Sequence, residues 1–518
     1  MRKAVIVVAA WMMLGAGGRF AIAQPTAVET RDAVRAYRLA NEPAILAELR
    51  ALLAIPNVAS DAPNIARNAA ALEVMLEKRG FETRLLTLDG APPAVFGELR
   101  QPGATRTVVF YAHYDGQPVD PSQWASPPWT PTVRDRPIEE GGREVPWETL
   151  TSSVPGEYRI YARSASDDKS PIVALLAGLD ALRASNIPPS VHLKVFLEGE
   201  EEAGSPHLER MLTTYREALD ADVWILGDGP VHQSRRMLVS FGVRGVIGLE
   251  MTLYGPLRAL HSGHYGNWAP NPAAELATLL ASMRDGDGRI LVDGFAGAVR
   301  PLSSLEQQAV REIPDADADL RHELALGRTE TVRERLADSI TVPAMNVRGI
   351  RSGAVGAQAA NAIPVDAQAS IDFRLVPDVT PEKVVGFVEA HLRARGYHVV
   401  YATPDAETRR AHPRLVHLDW EAGYPGHRTP MDLPVSRAVV EIVEQVSGGP
   451  IVRVPNMGGS LPLYLFDRVL GTPLITVPIV NHDNSQHAAN ENLRVQNLWD
   501  GIEVYAALLA RLGLEWRE

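Results

Sequence analysis

The sequence predicts an α/β fold in which a sheet domain is interrupted by a smaller inserted domain. The first observation is an alternation of helical and β-rich segments up to about residue 240, which favours a sheet with helices on its faces. The second is a change to an α+β pattern after residue 240, and the third is the return of the alternation after about residue 412. A chain of 518 residues is long enough for two domains or more.

In the first half, apolar spacing and turn residues place the elements. The predicted helices lie at 28–56, 63–80 and 170–185, and the predicted strands at 83–88, 94–99, 106–112, 191–199 and 221–229. Ser170 is a suitable N-cap for the third helix, and Pro171 suits its first position. Residues 130–157 are polar and predict a long surface excursion.

The second half predicts the inserted domain and the end of the sheet domain. The inserted elements are strands at 244–255, 367–377 and 397–404 with helices at 271–283 and 381–396, and the later elements are helices at 434–448 and 497–513 with a strand at 473–480. We therefore expect a sheet domain built from residues 24–240 and 413–518, interrupted by an α+β domain over residues 241–412.

The N-terminal residues 1–23 have the pattern of a secretory signal peptide. Arg2 and Lys3 precede an uncharged, mostly apolar run, and Ala21-Ile22-Ala23 forms a cleavage pattern. The run is short for a membrane span, and no later segment is apolar enough to cross a bilayer. The sequence therefore predicts export, to the periplasm or outside the cell, with no membrane attachment after cleavage.

Composition limits the classes of partner and of chemistry. The formal net charge is -12 with no basic footprint, which argues against a nucleic-acid partner. The chain has no cysteine, so thiolate ligands, a cysteine nucleophile and disulfides are excluded. An exported chain without disulfides depends on its core or on bound metal.

Acidic and histidine side chains follow the predicted strands. In open α/β sheets, ligands bind outside the carboxyl ends of the strands. Carboxylates with imidazoles suit Zn²⁺ or Mn²⁺, and two ions ~3.5–4 Å apart would supply the positive charge that a run of glutamates requires. The groups in question are His113, Asp115, Asp167, Asp168, Glu198, Glu200, Glu201, Glu202, Asp228, His482, Asp483 and His487.

Eight stretches, in this order, resemble the co-catalytic dimetal exopeptidases, the zinc-exopeptidase family that includes carnosinases, bacterial glutamate carboxypeptidase, succinyl-diaminopimelate desuccinylase and aminoacylase. The stretches are YAHYDGQPVDP, ASDDKSP, LEGEEEAGS, LGDG, LHSGHYGN, IDFRLVP, NMGGSLP and HAANENL. The resemblance is to the dipeptidase branch in particular, and it extends from about residue 40 to 515. It implies a mixed-sheet catalytic domain and a ferredoxin-like lid domain that dimerises.

The resemblance also implies a role for each matching residue at the metal centre. Asp167 would bridge two divalent ions, Zn²⁺ foremost, with Mn²⁺ or Co²⁺ as alternatives. Asp115 would orient the ring of His113, and Glu201 would be the general base. Glu198 and Glu200 would be structural. The implied ligands are His113 and Asp228 for one ion, Glu202 and His487 for the other, and Asp167 for both.

The inserted domain and a later loop carry the residues implied for the substrate. His261 would stabilise the oxyanion, in the partner subunit's site of a homodimer. Arg374 would bind the substrate carboxylate in bidentate fashion. Asn361, Gly459 and Ser460 would make further substrate contacts.

Three residues near the implied bridging aspartate depart from the family pattern. Ala162 and Ser164 replace glycines before it, and Ser170 replaces a glycine after it. Because glycine adopts backbone angles that alanine and serine resist, we expect this loop to relax or to keep ordinary angles.

The sequence therefore predicts an exported metallo-exopeptidase, a dipeptidase or carboxypeptidase acting on small peptides. An amidohydrolase acting on N-acyl or N-carbamoyl amino acids is the alternative with the same dimetal core. A non-catalytic binding protein on a decayed enzyme fold is an alternative of another class, and a solute-binding protein would need no such set of metal-type residues.

Overall fold

The computed structural model describes residues 24–330 and 335–517. The expected signal peptide, residues 1–23, lies outside these ranges. The helices are α1 Ala27–Leu53, α2 Ala62–Glu77, α3 Lys169–Ala184, α4 Leu208–Thr214, α5 Arg216–Leu219, α6 Ser262–Tyr265, α7 Pro272–Met283, α8 Phe295–Ala298, α9 Ser304–Glu312, α10 Asp317–Glu323, α11 Leu336–Ser339, α12 Pro381–Ala394, α13 Ala406–Ala411, α14 Pro434–Ser447, α15 Tyr464–Leu470 and α16 Val495–Glu515.

The strands form two large sheets and two small ones. They are β1 Glu82–Leu86, β2 Ala94–Leu99, β3 Thr107–His113, β4 Thr132–Arg134, β5 Glu144–Val145, β6 Arg159–Tyr161, β7 His192–Glu198, β8 Val223–Leu226, β9 Leu238–Ser240, β10 Gly242–Tyr254, β11 Leu260–His261, β12 Ala344–Arg351, β13 Ala362–Ile363, β14 Asp366–Leu375, β15 His398–Val400, β16 Leu415–Trp420, β17 His427–Arg428, β18 Val452–Val454, β19 Met457–Ser460, β20 Leu474–Thr476 and β21 Asn492–Arg494.

The largest sheet is mixed, in the order β1-β2-β7-β3-β8-β20-β9-β18. Its centre is parallel, since β3 pairs with β7 and β8, and β8 pairs with β20, all in the same direction. These strands are buried and apolar, as expected for parallel strands with both faces covered. The parallel centre brings the carboxyl ends of four strands to one edge of the sheet.

Helices cover both faces of this sheet. α1, α3, α14 and α16 pack together on one face and contribute to the larger apolar core. On the other face, α4 and α15 pack over an aromatic cluster around Trp224, Phe196 and Phe466. The predicted α/β class with a mixed sheet is confirmed.

The inserted domain has its own sheet, in the order β12-β14-β10-β16-β15, and its own apolar core. β10 is long, and its first residues also pair with β17 and β19. The predicted inserted α+β domain is therefore present, and β10 connects it to the catalytic domain beside β19.

One expected domain boundary and one expected helix cap differ from the structure. β16, Leu415–Trp420, pairs with β10 and β15, so the inserted sheet extends beyond residue 412 and we place its end after Trp420. α3 begins at Lys169 with Asp168 at the N-cap, so Ser170 is not the cap but a buried residue of the first turn. Helix ends commonly differ from prediction by a residue or two.

The segment 130–157 is more ordered than a surface excursion. It contains β4 and β5, which form a four-stranded sheet with β6 and β21 in the order β21-β6-β4-β5. Val133 and Val154 are buried in the larger core, and the indole N–H of Trp147 donates to the carbonyl of Pro131 at 2.7 Å. Among the described residues, no helix combines the length and apolar character that a membrane span requires.

Candidate metal centre

The carboxyl edge of the large sheet gathers the side chains that follow its parallel strands. His113 and Asp115 lie at the end of β3, Glu201 and Glu202 follow β7, and Asp228 follows β8. His487 follows β20, and Asp167 precedes α3. The edge thus has the location expected of a ligand site in an α/β sheet.

A first group combines His113, Asp167 and Asp228, whose ligand atoms all lie within 4.8 Å of one another. All three residues are buried. Nε2 of His113 lies 2.9 Å from Oδ1 of Asp167. One imidazole nitrogen and two carboxylates thus converge on a volume that could hold one cation.

A second group combines Asp167, Glu202 and His487 within the same limit of 4.8 Å. Nε2 of His487 lies 3.1 Å from Oδ2 of Asp167 and 3.1 Å from Oε2 of Glu202. Asp167 therefore presents one oxygen to each group. This is the arrangement of a carboxylate that bridges two ions.

Asp115 holds the ligand side chains in place. Its Oδ1 lies 3.4 Å from Nδ1 of His113, on the side of the ring opposite Asp167. Its two oxygens also accept the backbone N–H groups of Glu201 and Glu202, at 3.1 and 3.0 Å. A carboxylate that orients a histidine in this way fixes the nitrogen that faces the metal.

Glu201 lies beside the two groups without belonging to either. Its Oε2 is 3.8 Å from Nε2 of His113, and its side chain lines the cleft over the site. Burial raises the pKa of Glu201 well above its ordinary value, and Asp228 and Asp167 raise it further, although His113 opposes the shift. The position suits a group that exchanges protons with a molecule in the cleft.

The other two glutamates of the run have protein partners. Glu198 is buried and accepts a hydrogen bond from the hydroxyl of Tyr111 at 2.8 Å. Glu200 accepts from the backbone N–H of His207 at 2.9 Å and also contacts its ring. Both contacts suit the structural roles expected for these residues.

The electrostatics of the site fit a divalent cation. Burial and the neighbouring Asp167 raise the pKa of Asp228 to about 7. Burial favours the neutral form of His113, but Asp115 and Asp167 outweigh it and raise the pKa of that imidazole well above its ordinary value. Acids kept from ionising and histidines kept protonated both indicate a site that requires positive charge. Oxygen and imidazole donors suit Zn²⁺ or Mn²⁺.

The sequence analysis missed one residue of this site, Glu491. It is fully buried, and its Oε1 accepts the backbone N–H groups of Ser166 and Asp167, each at 2.9 Å. Its Oε2 accepts from Ser164 N–H at 2.9 Å and from the guanidinium of Arg163 at 2.8 Å. Glu491 therefore fixes the loop that carries Asp167, and its signal in the sequence was its place in HAANENL.

The same contacts explain how the loop accepts Ser164. The φ of Ser164 is 61°, in the left-handed region, so of the two expected alternatives the loop does not keep ordinary angles at this residue. Its N–H is held by Glu491, and its hydroxyl accepts from the amide of Asn57 at 2.8 Å. These hydrogen bonds offset the conformational cost that glycine would have avoided.

A cleft of about 540 Å³ opens over the site. Gly459 and Ser460 line it together with the metal-site carboxylates. The guanidinium of Arg374 donates to the hydroxyl of Ser460 at 2.9 Å and to Asp372 at 2.8 Å. Two of the predicted substrate residues, Gly459 and Ser460, thus line the cleft, and a third, Arg374, contacts Ser460.

His261 and Asn361 lie elsewhere, on an exposed part of the inserted domain. Nδ1 of His261 accepts the N–H of Gly263 at 3.1 Å, and its ring contacts that of His264. The carbonyl of Asn361 accepts from Ser262 at 2.9 Å. Among the described residues, the cleft lining includes neither, so one chain does not bring them to its own metal centre.

Comparison with known proteins extends these observations. The model of Peptidase family M20/M25/M40 matches residues 109–511. The Cys-Gly metallodipeptidase of Schizosaccharomyces pombe is 24% identical over 470 residues, 88% of this chain and 91% of that protein. The human Beta-Ala-His dipeptidase is 24% identical over 437 residues, 81% of this chain and 78% of that protein.

Among solved structures, an M20 family metallo-carboxypeptidase from Sulfolobus solfataricus has a TM-score of 0.72 and 27% identity, over 91% of this chain and 99% of that chain. The family match and the dipeptidase relatives confirm the resemblance to the dipeptidase branch of the dimetal exopeptidases. The chain belongs to Peptidase family M20/M25/M40 and is an enzyme of that family.

Proposed function

We propose that this enzyme is an exported dipeptidase that hydrolyses the peptide bond of small peptides at a centre of two divalent ions. The observation that carries the proposal is the pair of ligand groups that share Asp167 at the base of a substrate-sized cleft. The dipeptidase names of the relatives from Schizosaccharomyces pombe and human support the substrate class.

His113, Asp167 and Asp228 would hold one ion, and Asp167, Glu202 and His487 the other. Bound ions at such a site lower the pKa of a water towards ~7 and polarise a scissile carbonyl. The ions are Zn²⁺ in this proposal, with Mn²⁺ and Co²⁺ as alternatives. The carboxylate of Glu201 takes the proton of the attacking water and passes it to the leaving amine.

The location of Glu201 supports this role, because its side chain lines the cleft and its Oε2 lies 3.8 Å from Nε2 of His113, beside both ligand groups. Asp115 fixes its backbone through the N–H of Glu201 at 3.1 Å. The carboxylate that exchanges the proton of the attacking water is therefore held in a fixed position by the fold.

Arg374 is proposed to bind the free carboxylate of the substrate together with Ser460. The guanidinium already donates to the Ser460 hydroxyl, which lines the cleft. Arginine presents parallel N–H groups that match a carboxylate. Recognition of a terminal carboxylate would restrict the enzyme to short peptides or C-terminal residues.

His261 and Asn361 are proposed to act in the partner subunit's cleft of a homodimer formed through the inserted domain. Their exposed position outside their own cleft supports this assignment. We expect inactive His261→Ala and Glu201→Gln chains to recover activity when they are mixed and refolded together. A monomer in light scattering, or no recovery on mixing, would contradict action across a dimer.

Export rests on residues 1–23 and is tested by N-terminal sequencing of the protein recovered outside the cytoplasm, which should begin near Gln24. The catalytic proposal is tested with purified protein on dipeptides, N-acyl amino acids and N-carbamoyl amino acids, with Zn²⁺ or Mn²⁺ and after chelation. Chelator-sensitive dipeptide hydrolysis supports it. Turnover of the N-acyl or N-carbamoyl compounds alone would move the function to an amidohydrolase.

A further inference from the structure

We infer that the enzyme prefers dipeptides with a bulky apolar side chain beside the scissile bond, an inference that rests on the proposed dipeptidase function. The cleft volume of about 540 Å³ lies within the ~300–1,000 Å³ typical of small-molecule sites. One part of the cleft carries the acids of the metal centre. Another part, which we term the apolar wall, consists of Val310, Ile313, Leu336, Ile340, Val454 and Met457.

The apolar wall joins three segments of the chain. Val310 lies near the end of α9, which packs against β18 at the edge of the catalytic sheet. Ile340 follows α11 and approaches Gly458, where an added Cβ would lie 3.4 Å from its Cδ1. Leu336 remains 48% exposed although it is a large apolar side chain lining a concave site. An apolar substrate group would cover it.

Hydrogen bonds to the backbone fix the wall. Nη2 of Arg335 donates to the carbonyls of Val310 and Ile313, at 3.2 and 2.8 Å. The carboxylate of Asp317 accepts the N–H of Leu336 at 2.8 Å. Arg335 and Asp317 line the cleft, and both are therefore already hydrogen-bonded to the backbone of the described chain.

Because Arg335 and Asp317 are already hydrogen-bonded, the wall offers a substrate side chain mainly apolar contacts. A charged or strongly polar substrate side chain placed against the wall would lose water without gaining a partner, which is costly. An aliphatic or aromatic side chain would gain the free energy of removing apolar surface from water. The wall therefore selects by hydrophobicity and size.

The wall also lies within reach of a bound dipeptide. β19 runs from Met457 in the wall to Ser460 at the proposed carboxylate site. At ~3.3 Å per residue, these two residues are roughly 10 Å apart along the strand. A dipeptide spans about 7 Å when extended, and a leucine side chain adds to that reach. A substrate held at Ser460 would thus place a side chain at the wall.

The experiment compares kcat/KM for Ala-Ala, Leu-Ala, Ala-Leu and Ala-Phe with the metal-loaded enzyme. We expect at least one bulky apolar dipeptide to exceed Ala-Ala by roughly 10-fold to 100-fold, the scale by which hydrophobic pockets discriminate. Leu336→Ser and Ile340→Ser should bring this ratio towards one. Leu324→Ser is the matched control, because Leu324 is a leucine 59% exposed at the end of α10 and is not among the lining residues.

The outcomes separate this inference from the proposed function. Equal kcat/KM values for Ala-Ala and all bulky dipeptides would overturn the inference and leave the dipeptidase function standing. A preference that both wall variants retain would also overturn it. Hydrolysis of none of the dipeptides would overturn the proposed function and the inference together.

Discussion

Replacing Glu491 with glutamine should release the loop that carries Asp167 while it preserves the shape of the side chain. The two oxygens of Glu491 accept four N–H groups, one of them from the buried guanidinium of Arg163. In Glu491→Gln, one oxygen becomes an NH₂ group that faces donors instead of accepting from them. Disrupting a buried ion pair in this way costs about 3–5 kcal/mol.

That cost is a large fraction of the free energy of unfolding of a typical protein, ~5–15 kcal/mol, but it is not larger than this free energy. We therefore expect a folded protein with a lower unfolding midpoint in urea. The more specific effect is on metal binding, because residues that orient ligands typically contribute about 10–100-fold to metal affinity. Competition with a chromogenic chelator measures that affinity directly.

Glu503→Gln provides the matched control. Glu503 is likewise a buried carboxylate, and it accepts from Arg35 at 2.9 and 2.7 Å and from Arg38 at 3.2 Å. It lies on α16 and belongs to neither ligand group. We expect it to lose stability but to keep its metal affinity. If both variants bind metal equally well, Glu491 does not position Asp167 and our reasoning is wrong.

Three further predictions concern the centre itself. Asp167→Asn should abolish binding of both metal equivalents in mass spectrometry of the metal-titrated protein, whereas His487→Ala should lose one, and equal losses would contradict a shared ligand. Glu201→Gln should keep both equivalents while kcat falls by roughly 10²–10⁴-fold, and an unchanged kcat would remove Glu201 as the base. Hydrogen bonds to Asp167 and Glu202 raise the pKa of His487 to about 10 in the metal-free chain. Its charged form therefore stabilises that chain fully below the unfolded pKa of ~6.5, and the contribution is lost as pH rises through about 10. Metal binding near pH 7 should then expel a proton, which calorimetry in buffers of different protonation enthalpy detects, and His487→Ala should expel fewer.

The proximity of the candidate metal ligands could be predicted because it depends on a local rule. Each of His113, Asp228 and Glu202 follows a parallel strand, and such strands end at the same edge of a sheet. The sequence order therefore sufficed to expect them together. Asp167 required the resemblance in addition, since it precedes a helix and follows a short strand of another sheet.

Glu491 could not be found in this way, because its role depends on contacts between distant parts of the chain. β6 pairs with β21, so Tyr161 lies opposite Asn492, and this register places Glu491 beside the loop before Asp167. Neither strand has more than three residues. Strands this short carry too little alternation to predict a partner hundreds of residues away.

The helix α9, which contributes Val310 to the apolar wall, differs from Glu491 because its start is visible in the local sequence. α9 begins with a capping box between Ser303 and Glu306, a pattern visible as S-x-x-E in the sequence. No predicted helix or strand covers this stretch, which lies within residues 241–412, the range expected for the inserted domain. Ala309 of this helix packs instead into the catalytic core, and Val310 is also buried.

The acids crowded at the edge of the sheet have different surroundings, and these suit different roles. Glu198 accepts a hydrogen bond from Tyr111 at one of its oxygens, and Glu200 contacts the ring of His207, so each of these acids has a protein partner. Burial raises the pKa of Glu201 well above its ordinary value and that of Asp228 to about 7, and neighbouring acids, Asp167 among them, add to both shifts. An arginine or lysine placed beside these acids would neutralise them and would compete with a bound metal ion. In the proposed dimetal centre, the negative charge of these acids would attract the metal ions, and Glu201 would exchange the proton of the attacking water.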